Sequence, residues 1–338
     1  MYLFRYLLFP LSFLYYLATV TRNLFFDWKI LKSEKIQEPS ICIGNLSVGG
    51  SGKTPMTIYL ANLLKKDLPI QILSRGYGRK SSGYREVQVD STCEDVGDEP
   101  LLYKKRFQSE ITVAVSEKRS VGARKLNQNK KSILLLDDAF QHRAVKAGFS
   151  IILTPYQHLF INDFLMPVGN LREARCGAKR ADCIVVTKCP ESIEESEKNK
   201  LKKNLSKYGK PVFFSSIQYN EFVPFGAKIN SIDTILLVCG IARPENLLAE
   251  LSKRYKVVLM RFPDHHNFDS SDISKIHLKF DTFVSNNTAI ITTEKDFIRL
   301  QNKLTLEELK RYPWYYLPIE IKIDDEFNSL IKKYVTTI

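Results

Sequence analysis

Residues 40–55 read SICIGNLSVGGSGKTP, and this stretch decides how the rest of the chain is read. Ile41 to Ile43 has the apolar character of a buried strand, and Met56 to Leu64 is apolar at helical spacing. Between them lies a glycine-rich loop closed by Gly52-Lys53-Thr54. A strand, a glycine loop and a helix in that order form a phosphate cradle. Glycines let backbone N–H groups turn onto an anion, the helix adds its positive dipole end, a lysine reaches the β/γ-phosphates and a Thr hydroxyl can ligate Mg²⁺. Asn45, Ser47, Gly49, Gly50, Ser51, Gly52, Lys53 and Thr54 are therefore candidate nucleotide contacts. The loop departs from the common G-x-x-x-x-G-K-[ST] form at Ser47, where glycine is usual.

Outward from this loop the chain keeps an alpha/beta rhythm. Short apolar runs predict buried strands at Ile70–Leu73, Ile133–Leu136, Ile151–Leu153, Ile184–Val186 and Val212–Phe214. A second series follows at Ile235–Cys239, Val257–Met260 and Ala289–Thr292, with a helix expected over Glu245–Arg254. Strands separated by helices predict a P-loop NTPase-like, mostly parallel sheet with a second, smaller α/β domain. Pro224, Phe225 and Gly226 break a weak extended segment, which sets the junction near Gln218–Ser231. The expected division is residues 1–30, an N-terminal apolar helix associated with membrane; 31–218, the nucleotide-binding core; and 219–338, the smaller domain. The lysine-rich stretch Lys198–Lys210 reads as a solvated helix face.

The N-terminus carries the second strong signal. Tyr6–Thr21 holds no charge, is bounded by Arg5 and Arg22, and is followed by Phe25, Phe26 and Trp28 among Lys29, Lys32 and Lys35. A spanning helix needs about 20 apolar residues, and Pro10 is expected to kink this one. It reads as a retained anchor, monotopic or barely spanning, set against an apolar helix packed on the protein's own core. With 338 residues, the chain is long enough for two domains. A net charge of +13 favours an anionic partner. The six cysteines show no metal spacing and read as reduced thiols, four of them in or beside apolar strands.

Several polar clusters remain. The 133–136 strand delivers Asp137 and Asp138 to the carboxyl edge of the sheet, where α/β folds bind ligands and where one carboxylate can hold Mg²⁺. Gly97-Asp98-Glu99-Pro100 reads as a helix start, and Ser74-Arg75-Gly76-Tyr77-Gly78-Arg79 as a basic loop suited to phosphate or sugar. Leu171-Arg172-Glu173 and Phe262-Pro263-Asp264-His265-His266 are ambiguous taken singly. A regulatory GTPase would share the phosphate loop, but Thr187-Lys188-Cys189-Pro190 lacks the aspartate that selects guanine. A nucleic-acid-dependent ATPase would explain the charge. The aromatics, however, concentrate at the N-terminus instead of alternating with basic residues, so no nucleic-acid partner is expected.

Taken together these segments resemble the tetraacyldisaccharide 4'-kinase family of lipid A biosynthesis. The resemblance runs from the apolar N-terminus through residues 41–55, Ser74–Gly78, Val96–Pro100, Asp137-Asp138-Ala139-Phe140-Gln141-His142, Leu171–Glu173, Phe262–His265 and Thr293-Glu294-Lys295-Asp296. Ser47 is part of this family's own loop pattern. Ala139 departs from it, standing where the family usually has glycine, which suggests a backbone there outside the glycine-only region. The resemblance implies transfer of the γ-phosphoryl of ATP, with Mg²⁺, to the 4'-hydroxyl of a tetraacyldisaccharide 1-phosphate, giving lipid IV-A. It implies Asp98 as the base and His265 as the partner that orients or tunes it, with Lys53 and Asp138 also catalytic. Because Asp98 falls in the first expected domain and His265 in the second, the domains are expected to close for catalysis. Thr54, Asp137 and Asp138 are the expected metal residues, and Arg172, Glu173, Arg75 and Arg119 are expected contacts to nucleotide or substrate phosphate. The acylated disaccharide phosphate and the membrane surface are the expected partners, for a monomer on the cytoplasmic face of the bacterial inner membrane. Thr293–Asp296 is a landmark without a derived role, read otherwise as a charged helix cap.

Overall fold

The structure is a computed structural model that describes residues 3–36, 39–126, 132–285 and 287–337. The chain divides into two compact units, Met1–Ile217 with Ile321–Ile338, and Gln218–Glu320.

The first unit is organised by a nine-stranded sheet. Its order is Ile319–Ile323, Val212–Tyr219, Cys183–Cys189, Phe149–Pro155, Ser40–Asn45, Ile133–Asp137, Ile70–Ser74, Thr112–Val115 and Arg85–Glu86. From Val212–Tyr219 to Thr112–Val115 every pairing is parallel, and the two-residue edge strand Arg85–Glu86 pairs antiparallel with Thr112–Val115. A parallel strand covered on both faces is apolar on both faces, and Ile41, Ile43, Leu134, Leu135, Ile151, Ile152, Val185 and Val186 are accordingly shut off from solvent. The central position of Ser40–Asn45 puts the phosphate loop in the middle of the sheet's carboxyl edge, with Ser74 and Asp137 ending nearby strands and Thr187 near the end of another.

Several strands escape the sequence reading, two of them informative. Thr112–Val115 offers only four residues of pattern, and Ile319–Ile323 alternates apolar with charged residues as an edge strand does. The second of these moves a boundary. Expected to close the smaller domain at 338, the last residues instead group with the first unit. The Asp324 carboxylate accepts the Phe214 N–H at 3.0 Å, the Tyr334 hydroxyl donates to the Ser40 carbonyl at 3.1 Å, and Phe327 is fully buried. Chain order carries no mark of such a return, because it is long-range packing that recruits the terminal helix Asp325–Thr336.

The N-terminal residues form a short helix, Leu3–Tyr6, and a longer one, Phe9–Asp27. Pro10 does not kink the long helix. It occupies the first turn, where its missing N–H costs no hydrogen bond. Nor does this helix stand apart as a separate body, since it groups with the first unit. The Ser12 hydroxyl donates to the Leu165 carbonyl at 2.9 Å and accepts the Val168 N–H at 3.1 Å. The Tyr15 hydroxyl donates to the Arg172 carbonyl at 2.7 Å, and Asn23 donates to the Glu173 carboxylate at 3.1 Å. While this side is tied down, Leu7, Phe9, Leu11, Phe13, Leu14 and Leu17 are exposed, as are Trp28 and Ile30 beyond the helix. Among the described residues no helix is long and apolar enough to cross a membrane.

The second unit holds a five-stranded sheet ordered Val223–Pro224, Trp314–Leu317, Thr288–Thr293, Thr234–Cys239 and Lys256–Arg261, parallel except at the Val223–Pro224 edge. Helix Glu245–Leu251 follows the first of its parallel strands, and helix Glu294–Leu300 starts directly at the end of Thr288–Thr293. All six cysteines are free thiols, with Cys42, Cys183, Cys189 and Cys239 buried in strands.

Candidate active site

The phosphate loop has the geometry its glycines predict. Gly49 and Gly52 sit at φ +98° and +88°, a region that L side chains avoid, and Gly52 caps helix Lys53–Leu64. A neighbouring segment braces the loop from the side. Val48 donates to the Asn170 carbonyl at 2.8 Å and Arg172 to the Leu46 carbonyl at 2.7 Å, with Ser47 bridged to Leu171. The buried Asn45 amide donates to the Ser47 carbonyl, and the Thr187 hydroxyl donates to the Ser51 carbonyl at 2.8 Å. Gly44 answers to a close approach instead, as a Cβ there would lie 2.4 Å from Phe140 Cβ.

Lys53 leaves the first helical turn with its Nζ 3.7 Å from Asp138 Oδ2 and 3.5 Å from Asn45 Oδ1. Asp138 is also gripped by Arg172, whose Nη1 lies 2.9 and 3.1 Å from the two carboxylate oxygens. Burial works against this charge, but Lys53 and Arg172 prevail and hold the Asp138 carboxyl below its usual range. The two acidic neighbours are thus different in character. Asp138 is an ion-paired carboxylate in the left-handed region, at φ +47°. That φ places the unusual backbone one residue before Ala139, so the alanine is tolerated where glycine was expected.

Asp137 ends its strand at 1% exposure. It accepts the Ser74 hydroxyl at 3.1 Å through Oδ2, whereas Oδ1 is buried without a hydrogen-bond partner. Burial, then the charges of Glu99 and Asp138, push this carboxyl up to about 7. A buried carboxylate oxygen without a partner is costly, and a cation would relieve it. Close by, the Thr54 hydroxyl donates to Glu99 Oε1 at 3.1 Å. Asp137, Thr54 and Glu99 are the hard oxygen donors Mg²⁺ prefers, and their chemistry fits that ion. Among the described residues no group of three or more His, Cys, Asp or Glu is arranged to hold a metal by itself. That also suits Mg²⁺, which usually takes one or two carboxylates and completes its shell with phosphate and water. Glu99 is the residue the sequence reading passed over in favour of Asp98. The signal was present in the adjacent acids of Gly-Asp-Glu-Pro, but which one meets Thr54 depends on the helix phase.

Asp98 begins helix Asp98–Phe107, is 8% exposed and accepts the Glu99 N–H at 3.0 Å. Gly97 before it, at φ +89°, faces the Tyr77 carbonyl so closely that a Cβ would reach it at 3.0 Å, which joins the Ser74–Gly78 and Val96–Pro100 segments. Arg119 is 2% exposed and donates to the Ser116 and Asp137 carbonyls at 2.6 and 3.1 Å. Burial lowers its guanidinium to about 10, so it stays charged at neutral pH. Arg75 is exposed at the same sheet edge. His142, in the Asp-Asp-Ala-Phe-Gln-His segment, is pulled down to about 4 by burial and by the charges of Arg119 and Arg75, and is neutral.

Glu173 is held by partners within the protein. At 3% exposure it takes the Arg180 guanidinium at 2.8–2.9 Å, Gln141 at 3.0 Å and Asn23 at 3.1 Å. It therefore ties the N-terminal helix, the Gln141 loop and the 170–180 segment together, while Gln141 in turn donates to the Asn45 carbonyl at 2.8 Å.

His265 lies in the second unit. It is exposed, stands at φ +57° and receives at its Nδ1 the Arg299 Nη2, 3.1 Å away. His266 beside it pairs with Asp272 at 2.7 Å.

Comparison with known proteins gives a consistent result. The family model described as "Tetraacyldisaccharide-1-P 4'-kinase" (LpxK) matches residues 4–336. A tetraacyldisaccharide 4'-kinase of Flavobacterium psychrophilum is 46% identical over 341 residues, covering 97% of this chain and 96% of that protein. One from Bacteroides thetaiotaomicron is 43% identical over 354 residues, covering 97% and 92%. In structure, the chain is similar to LpxK from Aquifex aeolicus, crystallised in complex with ATP, at a TM-score of 0.73 and 29% identity, covering 98% of this chain and 99% of that one. With its phosphate loop, paired carboxylates and full-length match, this chain belongs to the tetraacyldisaccharide-1-P 4'-kinase family.

Proposed function

We propose that the chain transfers the γ-phosphoryl group of ATP to the 4'-hydroxyl of a tetraacyldisaccharide 1-phosphate, forming lipid IV-A in lipid A biosynthesis. The observation that carries this reading is one edge of one sheet. There Lys53, Asp138 and Arg172 form a charged chain beside the glycine loop, and Thr54, Glu99 and the unpartnered Asp137 Oδ1 make an oxygen cluster.

Phosphoryl transfer asks mainly for positioning and charge neutralisation. Lys53 and Arg119 supply fixed positive charge, and the loop's N–H groups supply the cradle. Thr54, Asp137 and Glu99 are the residues that would hold Mg²⁺, which would supply neutralisation of the phosphate charge. Asp138 keeps Lys53 and Arg172 aligned. Asp98 takes the proton of the 4'-hydroxyl, a poor nucleophile at neutral pH, and His265 orients or tunes that base.

The exposed apolar residues of the N-terminal helix, with Arg5, Lys29, Lys32 and Lys35 at its ends, fit a peripheral contact with the cytoplasmic face of the inner membrane. Lifting an acyl chain out of a bilayer costs about 0.8 kcal/mol per CH₂, so an enzyme with such a substrate gains by working at the surface. The enzyme acts as a monomer in this reading, and no nucleic acid takes part.

The test is transfer of ³²P from γ-labelled ATP to tetraacyldisaccharide 1-phosphate in detergent micelles with Mg²⁺, run beside Lys53→Ala. Labelled lipid that vanishes in the variant supports the reaction. ATP hydrolysis without labelled lipid would overturn the acceptor.

A further inference from the structure

Helix Glu294–Leu300 has a capped N-terminus. The Thr293 hydroxyl accepts the Asp296 N–H at 3.1 Å and donates to Asp296 Oδ2 at 2.8 Å. Asp296 is fully buried and does more than cap. Its Oδ2 accepts the Gly240 N–H at 2.9 Å and its Oδ1 accepts Arg299 Nη1 at 2.8 Å. The same Nη1 donates to the Gly240 carbonyl at 3.2 Å. Arg299 is 8% exposed, and its other nitrogen, Nη2, meets His265 Nδ1 at 3.1 Å. Gly240 also accepts the His265 N–H at 3.2 Å. One buried carboxylate thus fixes a guanidinium and a backbone turn, and both lead to the same imidazole. A planar guanidinium anchored along one edge presents its remaining N–H in a fixed direction, which a lysine cannot do.

We propose that Arg299, anchored by Asp296, is the positioning residue for His265, and that it selects the neutral imidazole with its proton on Nε2. The reason is chemical. Arginine only donates, so Nδ1 facing Nη2 must accept, and the ring's single neutral proton goes to Nε2. An imidazole in that state offers an N–H and is not a base at Nε2. This proposal rests on the reading that His265 serves the phosphoryl transfer, and it deepens that reading: His265 acts by donating a hydrogen bond, and proton removal falls to a carboxylate. It also gives Thr293–Asp296 a task beyond capping a helix. Charged and titratable groups around the ring include Arg299 with Asp296 behind it, Asp264, whose carboxylate accepts the His265 N–H at 3.1 Å, and the neighbouring His266–Asp272 pair.

The experiment compares wild type, Arg299→Met, Arg299→Lys and His265→Ala in the full chain. It reads ¹⁵N imidazole shifts against pH, assigned by loss of the His265 signals in His265→Ala, together with kcat and KM for lipid phosphorylation. In the wild type, Nδ1 is expected to be unprotonated and Nε2 to carry the proton. Arg299→Met should mix the two tautomers, raise the pH at which His265 protonates by about one unit, and lower kcat about tenfold with KM for ATP unchanged. Arg299→Lys restores the cation without the fork, and should restore the titration while leaving the tautomers mixed. It also serves if Arg299→Met does not fold. Unaltered His265 shifts in the arginine variants would overturn the positioning role. Full turnover in His265→Ala would instead overturn the underlying reading of His265, an outcome visible separately from the spectra.

Discussion

Replacing Asp137 with asparagine should stabilise the metal-free protein while disabling it. Asp137 is 1% exposed, one of its oxygens has no partner, and burial with the Glu99 and Asp138 charges raises its carboxyl from 3.8 to about 7. The folded state then keeps a proton that the unfolded chain has already released. Stability therefore falls as pH rises from about 4 to about 7 and is level above that, the reverse of the ordinary salt-bridged aspartate. About three units at roughly 1.4 kcal/mol each puts the full penalty on the order of 4 kcal/mol. Asparagine keeps an acceptor for Ser74 and carries no charge to bury.

The assay is thermal and urea unfolding of wild type and Asp137→Asn in EDTA, without nucleotide, from pH 4.5 to 8.5. Asn should gain little at the acid end, the gap should widen toward neutrality, and at pH 8 the midpoint should lie several degrees higher. Lipid phosphorylation should drop by about two orders of magnitude or more, and Mg²⁺, expected to raise the midpoint of the wild type, should no longer do so in the variant. A variant destabilised equally at every pH would refute the reasoning, because the side chain would then be supporting the fold instead of straining it for a cation.

Other outcomes follow from the same geometry. Asp98→Ala should abolish most turnover with ATP affinity largely intact, measured by steady-state kinetics beside calorimetric titration; equal turnover would remove Asp98 from the base role. Arg180→Ala leaves Glu173 buried beside Gln141 and Asn23 without its cation, and should cost roughly 2–4 kcal/mol in denaturant unfolding. Adding Glu173→Gln should recover part of that loss, and no recovery would mean the charge is not the cause. Replacing exposed Leu7, Leu11 and Leu14 with serine should weaken binding to anionic vesicles at least tenfold without altering the unfolding midpoint. Unchanged flotation with the vesicles would show that the N-terminal helix is not the membrane contact.

The central fold and the nucleotide edge were readable because their determinants are local. Ile41–Ile43 must be buried on both faces, Gly49 and Gly52 adopt backbone angles other residues avoid, and Lys53 and Thr54 follow within one helical turn. Asp137 and Asp138 could be placed at the sheet edge from the apolar run before them. Their separate characters could not be read, since burial beside Glu99 and Ser74 distinguishes one, and Lys53 with Arg172 the other. Pro10 illustrates the same limit: in isolation it reads as a kink, but the helix begins next to it.

By itself, then, the sequence determined the strand–loop–helix cradle, the alpha/beta order and the family, because each depends on neighbours a few positions away. Only the tertiary structure decided that Glu99 meets Thr54, that Glu173 ties three segments together, that Asp296 and Arg299 reach His265, and that the last helix belongs with the first unit. Those contacts join residues far apart in the chain or depend on helix phase and burial. They become determinate only once the sheets are assembled and the buried charges have found partners.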